Sequence, residues 1–227
     1  MRHRTLRGGL AVGLSALVLA YGSVVALTGV PAVAYVLLNL GLAGALVVGA
    51  RAWSLSWDDV GLSPRSLGPG LRWGVALAAV VAAGVGIGLL VLGHRFPSED
   101  VEGLGAGGLL VQVLVRVPVG TAVPEETLFR GVLFAVWSRN RSTAIGVVAS
   151  SVTFGLWHVG ATIAQLHSAG HSVSIPPIAA AVAFTAVAGA GLVWVRARTN
   201  GIWAGILIHW AANSLVLIAA WLARRAA

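Results

Sequence analysis

The chain contains no cysteine and very few charged residues, and each shortage excludes a class of protein. Without cysteine there is no disulfide, no thiol nucleophile and no cysteine-ligated metal. Charged residues make up 10% of the 227 residues, whereas a soluble domain has about 25%. Hydrophobic residues make up 58%. The composition therefore predicts a polytopic membrane protein, and its short loops leave room for only one domain, 1–227.

Seven apolar segments are long enough to cross a bilayer as helices, which takes about 20 residues each. The first resembles a signal peptide, because arginines precede it and Ala32-Val33-Ala34 resembles a cleavage site. The length of this first segment, and the second span that follows it directly, favour a helix that is not cleaved off. The fold class is therefore all-α, a transmembrane helix bundle of seven spans, or eight if one is miscounted. We predict the spans at 10–29, 31–50, 71–93, 107–137, 143–166, 177–195 and 200–222.

Lysine is also absent, so all 15 basic residues are arginine, and the net charge is +8. The arginines lie at the ends of the spans, which favours membrane orientation over binding to nucleic acid. A cytoplasmic N-terminus puts ten of them on inner segments and only Arg95, Arg224 and Arg225 on outer ones. We therefore predict a multi-pass protein of the cell membrane with its N-terminus in the cytoplasm. Either the last two arginines lie at the interface or a span is miscounted.

The fourth predicted span is both too long and charged. At 1.5 Å per residue, 107–137 reaches about 45 Å, against a hydrocarbon core of about 30 Å. Pro124 predicts a kink, or else the first part of the span lies at the surface. Glu125 and Glu126 follow it, and a charge here costs about 2.5–3.5 kcal/mol on insertion scales. Arg130 is four residues after Glu126, so the two can pair on one helix face and leave Glu125 free for another task.

Two later spans each carry a partly polar stripe of residues at intervals of four. In the fifth these are Ser150, Phe154, His158 and Thr162, and in the seventh Gly201, Gly205, His209 and Asn213. The helical rise places Glu125, His158 and Asn213 each about 20 Å from the inner boundary, and His209 about 13 Å. A lone histidine or asparagine in such a span is often only a hydrogen-bond partner between helices. Their combination with the two glutamates favours one intramembrane site.

These residues resemble the three motifs of the CPBP intramembrane protease family, also called the Abi or CAAX prenyl protease 2 (Rce1-type) family. The motifs are Glu125-Glu126-x-x-x-Arg130, Phe154-x-x-x-His158 and His209-x-x-x-Asn213. The resemblance covers residues 105–215, whereas the spans in 1–104 carry no matching motif. It implies an intramembrane hydrolase with a conical catalytic cavity that cleaves a membrane-associated or prenylated CAAX-like peptide or protein. The short C-terminus, with no clear eighth span, departs from the family pattern.

The resemblance also implies a role for each residue. Glu125 and His158 would hold and deprotonate a water molecule, His209 and Asn213 would donate hydrogen bonds to the oxyanion, and Glu126 and Arg130 would brace them. The family carries a metalloprotease label, and Glu125, His158 and His209 offer three zinc ligands with an open fourth position. The absence of a His-Glu-x-x-His motif favours a metal-independent reaction that needs no cofactor, with zinc as the alternative.

Two other classes of function are compatible with the sequence. A non-catalytic membrane protein, such as a bacteriocin-immunity or scaffold factor, would tolerate the loss of Glu125. A proton-coupled transporter is suggested by glutamate and histidine inside the membrane, because such residues also form proton relays. The lack of an inverted repeat counts against the transporter, since the first three spans have no counterpart of the motif-bearing helices.

Overall fold

The computed structural model describes residues 2–93 and 101–226, with side chains from Gly8 onward, and all regular structure in these ranges is helical. Seven of the helices in this part of the chain are long and apolar enough to cross a membrane. This confirms the predicted fold class. The position of Arg95 and the side chains of the first arginines lie outside the described residues. The helices are α1 (Arg2–Leu27), α2 (Ala32–Ala52), α3 (Leu67–Leu92), α4 (Ala106–Asn140), α5 (Thr143–Ser168), α6 (Ile175–Thr199) and α7 (Trp203–Arg225).

Helix α1 begins eight residues earlier than predicted, and the other helix ends lie within four residues of the predicted ones because glycine and proline define most of them. Gly29 has a φ of +62° and Pro31 precedes the first residue of α2, which together make the short turn after α1. Helix α3 begins four residues earlier than predicted, directly after a 3₁₀ turn at Pro64–Ser66. It ends at Gly93, which has a φ of +53°.

Helix α4 lies in the centre of the bundle and carries its core. It contacts α2, α5 and α7, while α5 packs along α6 and α3 packs along α7. Leu128, Phe129, Val132 and Leu133 of α4 are at most 1% exposed. The motif glutamates lie on the same helix, one turn earlier, and are therefore held in the best-packed part of the protein.

Helices α3 and α7 approach closely through a pair of glycines that the sequence interpretation did not single out. A Cβ atom on Gly70 would lie 2.7 Å from Cβ of Trp203, and one on Gly74 would lie 2.9 Å from Cβ of Leu207. Small residues four apart are typical of tight helix pairs in membranes. This contact holds α7, which carries the third motif, against the N-terminal half of the chain.

Helix α4 is continuous but changes its winding twice. Gln112–Ala122 and Thr127–Leu133 are π-helical, and one α-helical turn, Val123–Glu126, separates them. Pro124 lies where the winding changes, with helical backbone angles before and after it. A π-helix has more residues per turn and a smaller rise, so this winding shortens a helix of 35 residues that would otherwise reach about 52 Å.

The first π-helical stretch leaves a carbonyl group without a backbone partner. In the i to i+5 pattern, the carbonyl of Val113 would accept from residue 118, but Pro118 has no N–H group. The indole Nε1 of Trp210 in α7 donates to this carbonyl at 2.7 Å. The proline therefore creates an acceptor inside the membrane that only another helix can satisfy.

The carbonyl of Gly120, four residues before Pro124, lies in the first π-helical stretch and also accepts from another helix. The side-chain Nδ2 of Asn39, which is 1% exposed, donates to it at 2.8 Å. Its Oδ1 accepts from the hydroxyl of Tyr21 at 2.8 Å. Two side chains from α2 and α7 thus fix the height and rotation of α4 immediately before the glutamates.

The segment between α2 and α3 forms a loop that is tied to the ends of α4 and α6. Nη2 of Arg196 donates to the carbonyls of Asp58 and Asp59 at 3.1 and 2.8 Å. Nη1 of Arg139 donates to the carbonyl of Ser54 at 2.9 Å. Inside the loop, the backbone N–H of Ser56 donates to the carboxylate of Asp59 at 2.7 Å and, with the Ser56 hydroxyl, holds the pKa of Asp59 below its ordinary value of 3.8.

We expect Trp210→Phe to lower the unfolding free energy by about 1–3 kcal/mol, because the carbonyl of Val113 loses its donor. Thermal unfolding in detergent measures the effect. The matched control is Trp194→Phe, since Trp194 is 49% exposed and its indole nitrogen has no hydrogen bond within the described residues. Equal melting temperatures for the two variants would contradict the role given to Trp210.

We also expect Asp59→Asn to flatten the dependence of stability on pH at the acidic end. A carboxyl group whose pKa is lower in the folded state stabilises the fold above its ordinary value of 3.8, and the stabilisation disappears as the pH falls through the lower folded value. Melting temperatures measured from pH 6 downward should therefore fall less steeply for Asp59→Asn than for the unmodified protein. Asp58→Asn is the control, and the same flattening there would contradict the assignment.

Candidate active site

The site is built around a buried ion pair on α4. Nη1 of Arg130 lies 3.0 Å from Oε1 of Glu126, as their spacing of four residues predicts, and the two side chains are 1% and 0% exposed. The approach is an ion pair by distance but lacks the angle of a directed hydrogen bond. The guanidinium also stacks on Phe154 of α5, with Cζ 3.9 Å from the ring centroid. The pair therefore joins α4 to the second motif.

His209 connects the two glutamates. Its Nδ1 lies 3.0 Å from Oε1 of Glu126, and its Nε2 lies 3.8 Å from Oε2 of Glu125. An ionised carboxylate only accepts hydrogen bonds, so Nδ1 carries the proton. In the neutral ring the lone pair of Nε2 then faces Glu125. The sequence interpretation placed His209 beside Asn213, and the structure adds this contact with the first motif.

Glu125 is 4% exposed and has a second partner that the sequence interpretation missed. Nε1 of Trp157 donates to Oε1 of Glu125 at 3.2 Å. Trp157 immediately precedes the motif histidine, His158, on α5. The sequence contains a signal for this contact, because an indole N–H in an apolar helix requires an acceptor. The chain has nine tryptophans, however, and the same signal applies to each of them.

His158 reaches the cluster through Phe154 rather than through Glu125. Its Nδ1 lies 2.8 Å from the carbonyl of Phe154, which can only accept, so Nδ1 donates. The His158 and His209 rings both pack edge-on against the Phe154 ring, with centroids 4.8 and 6.0 Å away. The described contacts of Glu125 are with Trp157 and His209, and its predicted pairing with His158 stays a prediction.

Two other residues of the stripe predicted in the fifth span have structural partners. The Ser150 hydroxyl donates to the carbonyl of Phe129 at 2.7 Å, and the Thr162 hydroxyl donates to that of His158 at 2.8 Å. Asn213 lies one turn beyond His209, is half-buried, and makes no hydrogen bond with a described residue. Its carboxamide therefore has donors for a ligand. The conical cavity implied by the resemblance stays a prediction.

The predicted zinc ligands do not form a ready ligand set. Among residues 2–93 and 101–226, no three histidine, aspartate or glutamate side chains converge as ligands of one metal ion. Glu125 and His209 are near one another, but His209 already uses Nδ1 for Glu126. We therefore derive no step through a metal, and the expectation that no cofactor is required stays a prediction.

Gly205 of α7 allows Glu126 to lie against that helix. A Cβ atom there would overlap Oε2 of Glu126 and lie 3.1 Å from its Cδ. Gly201, one turn earlier, similarly faces the side chain of Ser66 before α3. Both glycines therefore allow a close approach, and at Gly205 the partner is a motif carboxylate.

We expect Gly205→Ala to lower the melting temperature, because the added methyl group displaces Glu126 and separates the buried charges of Glu126 and Arg130. The control is Gly191→Ala on α6, where a Cβ atom would meet nothing within 4 Å. There the change should be neutral or stabilising by up to about 1 kcal/mol, as alanine favours the helix over glycine. Thermal unfolding in detergent compares the two variants. An unchanged melting temperature in Gly205→Ala would contradict this packing.

Comparison with known proteins supports the motif assignment. Residues 107–215, just under half of the chain, match the model of a family described as type II CAAX prenyl endopeptidase Rce1-like. No curated protein and no solved structure matches the chain. At the level of the family, this confirms the predicted CAAX-type intramembrane protease. The segment that carries all three motifs, residues 107–215, belongs to the Rce1-like family.

Proposed function

We propose that the protein is an intramembrane endopeptidase in which Glu125 is the general base. The observation that carries the proposal is the 3.8 Å separation between Oε2 of Glu125 and Nε2 of His209. This distance is too long for a direct hydrogen bond, but one water molecule can bond to both atoms. Both acceptors are buried, so the water would lie in a region of low dielectric, where interactions with developing charge are strong.

The reaction follows from these two acceptors. The water donates one hydrogen to Oε2 of Glu125 and the other to Nε2 of His209, which directs an oxygen lone pair at the scissile carbonyl carbon. Glu125 takes the first proton as the C–O bond forms. It then delivers that proton to the amide nitrogen as the C–N bond breaks. The products are a carboxyl group and a free amine.

The oxyanion needs donors, and the neutral His209 has none left because Nδ1 donates to Glu126. We assign this role first to the Asn213 carboxamide, which carries two N–H groups without a described partner. His158 holds its Nδ1 proton on the Phe154 carbonyl, so in its protonated form Nε2 is a second donor. This assignment exchanges the two histidine roles that the family resemblance implies.

The substrate we propose is a peptide or membrane-associated protein, with prenylated CAAX-like sequences as the family precedent. The seven spans make lipid the surroundings of the site. The arginine distribution supports a cell-membrane protein with a cytoplasmic N-terminus. Nothing in the motifs or the charge pattern supports a nucleic-acid partner.

The decisive experiment is cleavage of a quenched fluorescent peptide library, prenylated and unprenylated, by the purified protein in detergent. We expect Glu125→Gln to lower turnover by about 10²–10⁴-fold, the usual contribution of a general base. The matched control is Glu102→Gln, because Glu102 is exposed and pairs with Arg224 near the end of α7. Glu102→Gln should retain full turnover.

Each protein is assayed with and without a zinc chelator, and His209→Gln is compared with His158→Gln. Loss of activity with the chelator would overturn the metal-independent reaction. Persistent turnover in Glu125→Gln would overturn the general base. A folded protein without turnover on any peptide would favour the immunity or scaffold class, and proton flux in liposomes would identify a transporter.

A further inference from the structure

We infer that Trp157 is a positioning residue for Glu125 and that α1, which carries none of the motifs, holds Trp157 in place. The inference rests on the proposed function, because it concerns the orientation of the general base. Helix α1 lies wholly outside the matched segment, residues 107–215. The site would then include a helix that no motif marks.

The contact with the base is direct. Nε1 of Trp157 donates to Oε1 of Glu125 at 3.2 Å, and the other oxygen, Oε2, faces His209. A glutamate side chain has three rotatable bonds, so a single donor on one oxygen determines where the second oxygen points. Catalytic groups must be held close to their productive geometry, and a misplacement of about 1 Å costs up to about 10²-fold in rate.

The indole ring is itself fixed by neighbours on two helices. It is 8% exposed, it stacks on Tyr21 with centroids 6.2 Å apart, and it packs edge-on against Phe129 at 5.5 Å. Tyr21 is held in turn, because its hydroxyl donates to Asn39. The ring therefore has an aromatic neighbour on α1 and another on α4.

Gly22 makes this packing on α1 possible. A Cβ atom at Gly22 would lie 2.5 Å from Cζ3 and 2.9 Å from Cδ2 of Trp157, so any side chain there must displace the indole. Gly13, nine residues earlier on the same helix, would meet nothing within 4 Å. The two glycines thus offer the same substitution in one helix, one against the indole and one away from any neighbour.

The first test is Trp157→Phe, which keeps an aromatic ring and removes the N–H donor. We expect kcat to fall by about 10–100-fold with little change in KM, because the base is misoriented while the substrate contacts remain. Loss of a hydrogen bond favours the protonated carboxyl group, so the acidic limb of the pH–rate profile should move to higher pH. The control is Trp194→Phe, which should keep both kcat and the profile.

The second test compares Gly22→Ala with Gly13→Ala. Displacement of the indole should move the acidic limb in the same direction as Trp157→Phe does, whereas Gly13→Ala should leave it in place. In the double variant Trp157→Phe, Gly22→Ala, the shift should not add, since both changes remove one contact. Melting temperatures accompany every variant, and Gly22→Ala serves if Trp157→Phe does not fold.

Two results would overturn the inference while the proposed function stands. One is an unmoved pH profile in Trp157→Phe when Glu125→Gln is inactive. The other is a loss of activity in Gly22→Ala that is equally large in the Trp157→Phe background. If Glu125→Gln remains active, the proposed function fails instead, and the two failures are therefore distinguishable.

Discussion

The buried pair of Glu126 and Arg130 is the interaction on which the rest of the site depends. Removing one partner would leave the other charge unpaired in a low dielectric, which costs roughly 3–5 kcal/mol. Because Arg130 also stacks on Phe154, and Glu126 also accepts from His209, the pair determines how α4, α5 and α7 are rotated relative to one another. Glu125 can face His209 only in that arrangement. Under the proposed function, the pair is therefore a scaffold for the general base.

The irregular winding of α4 also helps to fix the rotation of this helix within the site. Pro118 leaves the carbonyl of Val113 without a backbone donor, and inside a membrane such a group needs a protein partner. Trp210 of α7 supplies that donor, and Asn39 of α2 donates to the carbonyl of Gly120. The two contacts restrict the rotation of α4. The departures from ideal geometry thus specify one orientation of the motif, in keeping with the tendency of π-helical turns to occur at functional sites.

What the sequence could predict is what depends on local chemistry. Span lengths follow from hydrophobic runs, most helix ends follow from glycine and proline, and the pairing of Glu126 with Arg130 follows from helical spacing. The contacts of His209 and Trp157 with the glutamates could not be predicted, because they depend on the rotation of one helix against another. That rotation is set by sites such as Gly205, whose importance appears only when Glu126 is seen against it. The π-helical winding of α4 could not be predicted from the sequence either, because its stability depends on donors from other helices.

The boundary of the family match and the boundary of the site do not coincide, and the contacts explain why. In the proposed reaction the motif residues carry the chemistry, so the reaction restricts their identities. The contacts that hold them require only a ring, a small residue or a donor at the right height, as Tyr21, Gly22 and Asn39 provide from α1 and α2. Such requirements can be met by several residue types, so they leave no readable motif. Under the proposed function, the two N-terminal helices are consequently part of the active site in energetic terms, although they carry no motif.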